Sequence, residues 1–337
     1  MKVQEIPTGA RSIDALRPAE RPDPKPGHGQ VVVRVRAASL NFRDQAVITG
    51  NYFGGAVSRD TIPLSDGAGE VVAAGPDVTR VRTGDRVAGT FFLGWNDGPA
   101  SGPYPARGAP PVDGMLAEYV LSDQQDLVRI PTNLSFEQAA TLPCAAATVW
   151  HGLVETCGVR PGDTVLTLGT GGVAMFTLLF GRTAGARVIL TSSSDEKLER
   201  ARALGAWGTI NYRRNPDWEQ EVLKLTDGAG ATHVVETGGP GTLAKSMQAV
   251  AYGGHIALIG VLAGLTGDTN PHQLLRKCAS LHGIFVASRA MFERMNAAIE
   301  ANGLQPVIDK AFDFEDAAGA YRYQQSASLF GKVVIRI

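Results

Sequence analysis

The stretch TVLTLGTGGVA, residues 164–174, decides how this chain is read. TVLTL has the look of a strand buried on both faces, and it runs into Gly169, Gly171 and Ala174, spaced as GxGxxA, before the apolar helical stretch MFTLLFGRTAG. A glycine turn between a strand and a helix has a physical use. Gly169 permits the tight turn, Gly171 lets the backbone approach a pyrophosphate, and Ala174 keeps the helix close to the sheet, while the first-turn N–H groups face the anion. The pattern predicts a dinucleotide site built on Gly169, Thr170, Gly171, Gly172 and Val173.

The next strand bears on which dinucleotide is bound. An NAD site places Asp or Glu about twenty residues beyond the glycine turn, where it holds both ribose hydroxyls. Here the strand ARVILT runs into the serines of TSSS, residues 191–194. Ser192 and Ser193 can hydrogen-bond a 2′-phosphate and Lys197, one helical turn onward, supplies positive charge. NADPH is therefore expected in preference to NADH. Tyr212, in TINYRR, is expected to close the same pocket, with Arg213 and Arg214 beside it in a solvated turn.

Outward from this point the texture is regular. Apolar runs HVVET (233–237), HIALIG (255–260) and LHGIFV (281–286) alternate with helical stretches such as SDEKLERARALG, for which Ser193 and Glu196 form a capping box and Gly205 a stop. This predicts βαβ units around a parallel sheet. Before about residue 127 the runs are shorter, VVVRVRAA (31–38), EVVAAG (70–75), DRVAGTFF (85–92) and LAEYVL (116–121), and are broken by Gly, Pro and Asp. They predict a β-rich module. The tail from about 288 carries two helices and the final run GKVVIRI, expected to return to that first module. Residues 94–114, rich in glycine and proline, are either a lid or irregular surface structure.

Composition excludes several classes. With 32 basic and 33 acidic residues the formal charge is -1, which leaves no broad footprint for nucleic acid or anionic lipid. The N-terminus has no apolar signal core and the longest strongly apolar run, VAMFTLLF, is too short to span a bilayer, so a cytoplasmic protein without a membrane partner is expected. Cys144, Cys157 and Cys278 are widely spaced and form no CxxC pair, which argues against a disulfide framework or a four-cysteine zinc lobe.

The motifs SLNFRD (39–44), VLTLGTGGVA through TSSSDEKLERARALGA, VVETGGPGTL (234–243) and IALIGVLAG (256–264) resemble the medium-chain dehydrogenase/reductase superfamily, in its zinc-independent, quinone oxidoreductase-like branch. The resemblance implies an α/β protein with a GroES-like catalytic domain, residues 1–127 and 286–337, and a Rossmann domain, 128–285. It implies that Glu236, Thr237, Gly238 and Gly239 in one loop, Gly260, Val261 and Leu262 in another, and Val286 and Ser288 lie along the cofactor. Zinc-dependent relatives hold their catalytic metal at positions matched here by Asn41, by Ser65 and Asp66, and by Cys144. Only the cysteine remains, so no zinc is expected and Cys144 is read as packing.

Without zinc the acceptor oxygen needs another polarising donor. Asn41 is the first candidate and Tyr52 the second, with Asp44 positioning Asn41, relaying a proton through water, or simply capping a helix. Phe42, Tyr52, Phe53, Phe91 and Trp95 are candidates to face a flat conjugated substrate. The implied activity is NADPH-dependent, metal-independent reduction of a quinone or α,β-unsaturated carbonyl. An alcohol/ketone oxidoreductase and a non-catalytic NADPH-binding protein remain as alternatives. A homodimer is implied, joined at the Rossmann sheet edge near 255–260 or 281–286.

Overall fold

A computed structural model describes residues 1–337 apart from Leu265, Asp268 and Ala327. Two compact units divide the chain: Thr148–Phe285, and Met1–Ala147 together with Val286–Ile337.

The contiguous unit is built on six parallel strands: β1 (Thr164–Thr167), β2 (Arg187–Ser192), β3 (Gly208–Asn211), β4 (Ala231–Glu236), β5 (Val250–Leu258) and β6 (Ser280–Gly283). Their spatial order is β3-β2-β1-β4-β5-β6. That is the doubly wound order whose direction reverses between β1 and β4, and the crevice outside the carboxyl ends of those strands is where such sheets take ligands. Leu166, Ile189, Ile210, Val234 and Ile256 form the core with Trp218, Val222 and Met247. Helix α1 (Gly172–Thr183) follows β1 and lies so close to the sheet that a Cβ on Gly181 would come within 2.8 Å of Val188 Cγ2. Strand β6 is an edge, whereas β5 is paired on both sides, which removes 255–260 as an edge candidate.

Helix α2 (Asp195–Ala203) begins one residue later than the sequence suggests. Ser194, not Ser193, is its N-cap, accepting from Lys197 N at 3.4 Å, and Gly205 follows the helix with φ +92°. The capping box fails because Ser193 lies outside the helix, which leaves its side chain to other uses.

In the other unit, Gln30–Ser39 lies at the centre of an antiparallel sheet between Asp66–Ala74 and Lys332–Arg336, with Tyr119–Asp123 also paired to its first half. The last strand does return, Val334 pairing with Ser39 and Arg336 with Ala37. The segment 128–147 also belongs here, beyond the expected limit at 127. Its start, Leu127–Arg129, pairs with Arg86–Gly89, so the sheet takes up residues beyond the expected limit at 127. Phe91, Phe92, Trp95 and Tyr104 cluster, with Trp95 and Tyr104 stacked at 5.6 Å, so the start of the 94–114 segment is anchored in a packed aromatic group. No helix among the described residues is long and apolar enough to cross a membrane.

Candidate active site

In the unit formed by the two ends of the chain, SLNFRD is where Gln30–Ser39 gives way to the helix Phe42–Ile48. Asn41 is the N-cap residue, and its backbone N donates to Asp44 Oδ2 at 2.7 Å. Asp44 thus caps the helix and fixes Asn41 at once, uniting two roles that the sequence left as alternatives. The Asn41 side chain is 8% exposed and its amide has a definite orientation. Lys332 Nζ, from the last strand, donates to Asn41 Oδ1 and to the Leu40 carbonyl, both at 2.6 Å. An ammonium has no acceptor, so it must meet the amide oxygen, and Nδ2 is left as a buried donor on the side of the Asp66 carboxylate, whose proton affinity burial raises and this donor lowers.

Asp66 is fully buried, with Oδ2 3.9 Å from Lys332 Nζ. Its carboxylate accepts from Ser65 Oγ at 2.7 Å and from the Cys144 backbone N at 3.1 Å. These are the positions where a zinc ligand set would stand, and their chemistry does not fit a zinc ion. Lys332 already brings a cation there, Asn41 turns its oxygen to that cation, and burial beside Asp66 pushes the Cys144 thiol far up, away from thiolate. Burial also raises Asp66, against the opposing pull of Lys332. Asp44 is pushed up to about 6 by burial, which outweighs the Arg43 charge beside it.

Sequence reasoning missed Lys332 and Arg43. Lys332 had no signal beyond one lysine in the apolar run GKVVIRI. Arg43 lies between rings, its guanidinium carbon 4.8 Å from the centroids of both Tyr52 and Phe91, and it donates from Nη1 to the Arg107 carbonyl at 2.6 Å. Its Nε and Nη2 are buried. Tyr52 is half-buried beside it, and burial raises its phenol against the downward pull of the Arg43 charge. Phe91 and Trp95 are 2% and 4% exposed and belong to the core, while Phe42 and Phe53 are exposed.

In the contiguous unit, Gly169 adopts φ +82°, as the tight turn requires, and Gly171 is the N-cap residue of α1. The Thr170–Val173 backbone therefore lies at the opening of a twelve-residue helix, at the switch point of the sheet. The loops after β4 and β5 lock together: Leu262 N donates to the Thr237 carbonyl at 3.0 Å, and a Cβ on Gly260 would fall 2.6 Å from that same oxygen. Val261 and Leu262 are exposed. Glu236, fully buried, accepts from Gly238 N, Gly239 N, Thr242 Oγ1 and Ser246 Oγ. Its carboxylate organises the loop from within.

Ser192 is 4% exposed and its Oγ accepts from Ser194 N at 3.2 Å, whereas Ser193 is half-buried beside it. Lys197 is half-buried and Tyr212 exposed, the latter tied by its N–H to the Ser192 carbonyl at 3.0 Å. Arg214 pairs with Asp195, which neutralises the carboxylate nearest the serines, and Arg213 is exposed. Val286 and Ser288 fall in the other unit. Val286 is buried among Phe91, Phe92 and Trp95, and the Ser288 hydroxyl caps the helix Arg289–Ala301. The glycine turn, the first-turn amides and the serines fit a dinucleotide phosphate.

The fold defines an oxidoreductase built from a GroES-like domain and a Rossmann-type parallel-sheet domain. The zinc-binding dehydrogenase family matches residues 172–301, and the alcohol dehydrogenase GroES-like domain matches residues 27–132. A zinc-type alcohol dehydrogenase-like protein of Schizosaccharomyces pombe is 44% identical over 96% of each chain. A quinone oxidoreductase of Pseudomonas aeruginosa is 31% identical over 92% of each. Among solved structures, a Sinorhizobium meliloti protein assigned as an alcohol dehydrogenase is 40% identical, with a TM-score of 0.91 over 100% of this chain and 99% of that one. An NAD-dependent alcohol dehydrogenase is 34% identical, with a TM-score of 0.90 over the whole of both. The chain belongs to the medium-chain dehydrogenase/reductase superfamily, among zinc-type alcohol dehydrogenase-like proteins whose members include quinone oxidoreductases.

The buried charges make two expectations measurable. Lys332→Met leaves Asp66 buried without its counter-charge and is expected to cost about 3–5 kcal/mol in chemical denaturation. For Asp44, the folded-state proton affinity lies above the unfolded one, so its contribution to stability falls as pH rises from 3.8 to about 6. Asp44→Asn, which mimics the neutral acid, is expected to gain on the wild type by about 3 kcal/mol between pH 4 and 7. A stability difference that does not vary with pH would refute the raised proton affinity.

Proposed function

We propose that the protein is an NADPH-dependent reductase of quinones or α,β-unsaturated carbonyls that needs no metal at the Asn41 site. The observation that carries this reading is the Asn41 amide, its Oδ1 held by Lys332, which turns Nδ2 into the buried donor of the pair, beside the Asp66 carboxylate. Reduction of a conjugated carbonyl moves negative charge onto its oxygen, and a fixed donor aimed at that charge lowers the barrier. Asp44 holds the Asn41 backbone, and the Tyr52 hydroxyl, beside Arg43, is a second candidate donor. NADPH supplies the hydride when bound. Gly169–Val173 would hold its pyrophosphate, and Ser193 and Lys197 its 2′-phosphate.

An amide donor polarises less than a metal ion, which suits activated acceptors over simple alcohols, whose alkoxides need stronger stabilisation. The quinone oxidoreductase relative supports this choice. The NAD-dependent alcohol dehydrogenase structure supports the competing alcohol/ketone reading. A homodimer paired through the β6 edge and a cytoplasmic location complete the proposal.

Chelator-dialysed protein is expected to oxidise NADPH with a benzoquinone or a 2-enal and not with a simple ketone. Ketone turnover that chelation abolishes would refute the reading, and NADPH binding with no turnover would favour a binding role. Asn41→Ala is expected to lower kcat/KM by about 10²-fold with NADPH affinity unchanged. Ser193→Asp is expected to weaken NADPH by about tenfold more than NADH, measured by fluorescence titration. Equal losses would remove phosphate recognition from that position.

A further inference from the structure

Three parallel strands of the contiguous unit carry a row of histidines. His233 on β4 is in register with His255 on β5; His255 is in register with Ser280 on β6, and His282 follows two residues later, on the same face as Ser280. The rings succeed one another at centroid separations of 5.6 Å and 5.4 Å. Cys157, which ends the helical segment Trp150–Thr156, meets this row. One ligand atom each from Cys157, His255 and His282 lies within 4.8 Å of the others.

We propose that Cys157, His255 and His282 form a binding site for a zinc-type divalent cation, separate from the position that zinc-dependent relatives use. The geometry is close to what such an ion requires. His255 Nδ1 and His282 Nε2 are 3.2 Å apart, and two nitrogens at bonds of about 2.0–2.1 Å in a tetrahedron stand about 3.3–3.4 Å apart. Thiolate with two imidazoles selects zinc and its neighbours in the first transition row over magnesium or calcium, which prefer oxygen. Three protein ligands leave a fourth position for water.

The surroundings prepare these ligands. Cys157 is 8% exposed and packs against Ala257 and Ile284. His233 Nε2 donates to the Cys157 carbonyl at 3.0 Å and so fixes the backbone that carries the thiol. A cysteine binds metal as its thiolate, so the Cys157 proton must leave when a cation arrives. Binding therefore forms one metal–sulfur and two metal–nitrogen bonds and releases one proton from Cys157 to the buffer. The bound ion would tie the edge strand β6 to β5 and to the segment that leads into β1.

The test uses the full chain, stripped with a chelator and desalted. Titration with Co²⁺ is expected to saturate at one equivalent with a thiolate-to-cobalt charge-transfer band and the visible bands of four-coordinate cobalt. Zn²⁺ calorimetry in two buffers is expected to show release of one proton, and Zn²⁺ to raise Tm. Cys157→Ser and His282→Gln, each checked for native circular dichroism, are expected to lose the charge-transfer band or weaken Zn²⁺ by at least about 100-fold. Cys144→Ser and Cys278→Ser are expected to leave both unchanged. No saturable binding to the wild type, or binding that survives both ligand variants, would overturn the proposal. Because the readout is metal binding, failure here leaves the reductase reading standing, and failure of that reading leaves this one standing.

Discussion

The buried ammonium of Lys332 is the contact on which the candidate active site depends. Taking an ammonium out of water costs several kcal/mol unless its protons find oxygens and its charge finds a partner. Here the Leu40 carbonyl, the Asn41 amide and the Asp66 carboxylate supply them. The same contacts attach the final strand to the turn that carries Asn41 and orient its amide. Arg43 and Asp44 add one more charge of each sign, so the buried cluster is balanced. A position that resembles a metal site in relatives is thus held together by an ordinary side-chain cation.

The contiguous unit solves a different problem, bringing loops from neighbouring strands close together at the carboxyl ends of the sheet. Glu236 does this by taking four donors from the segment that follows it, and Gly260 by leaving room for the Thr237 carbonyl. Neither residue has to touch a cofactor to matter for its binding. Their side-chain chemistry serves the shape of the crevice.

Much of the architecture was legible because it rests on local patterns. TVLTLGTGGVA announces strand, turn and helix within eleven residues. The alternation of apolar runs announces the parallel sheet, and GKVVIRI, stranded after two helices, announces a return to the first module. The limit of the first module was harder to place, since the change of texture at Pro131 lies inside a segment that still packs with the sheet before it. The site was legible only in part. Asn41 and Asp44 share one motif, whereas Lys332 comes from the far end of the chain, and no local pattern marks a lysine that will be buried against an asparagine. Phe91 and Trp95 were ambiguous for the opposite reason, since an aromatic side chain in a sequence does not say which way it faces. The row of histidines was invisible because parallel strands bring together residues separated by whole βαβ units.

That Lys332–Arg336 lies inside the first sheet has a consequence for how the protein is made. Gln30–Ser39 emerges early, but the strand beside it emerges roughly three hundred residues later, a delay of about 15–60 s at ordinary rates of synthesis. During that interval the β-rich module has an open, apolar edge, while the contiguous unit between its two parts already has every strand it needs. The strands of the contiguous unit are therefore made before the β-rich module can close, and the charge balance around Asn41 waits for Lys332–Arg336.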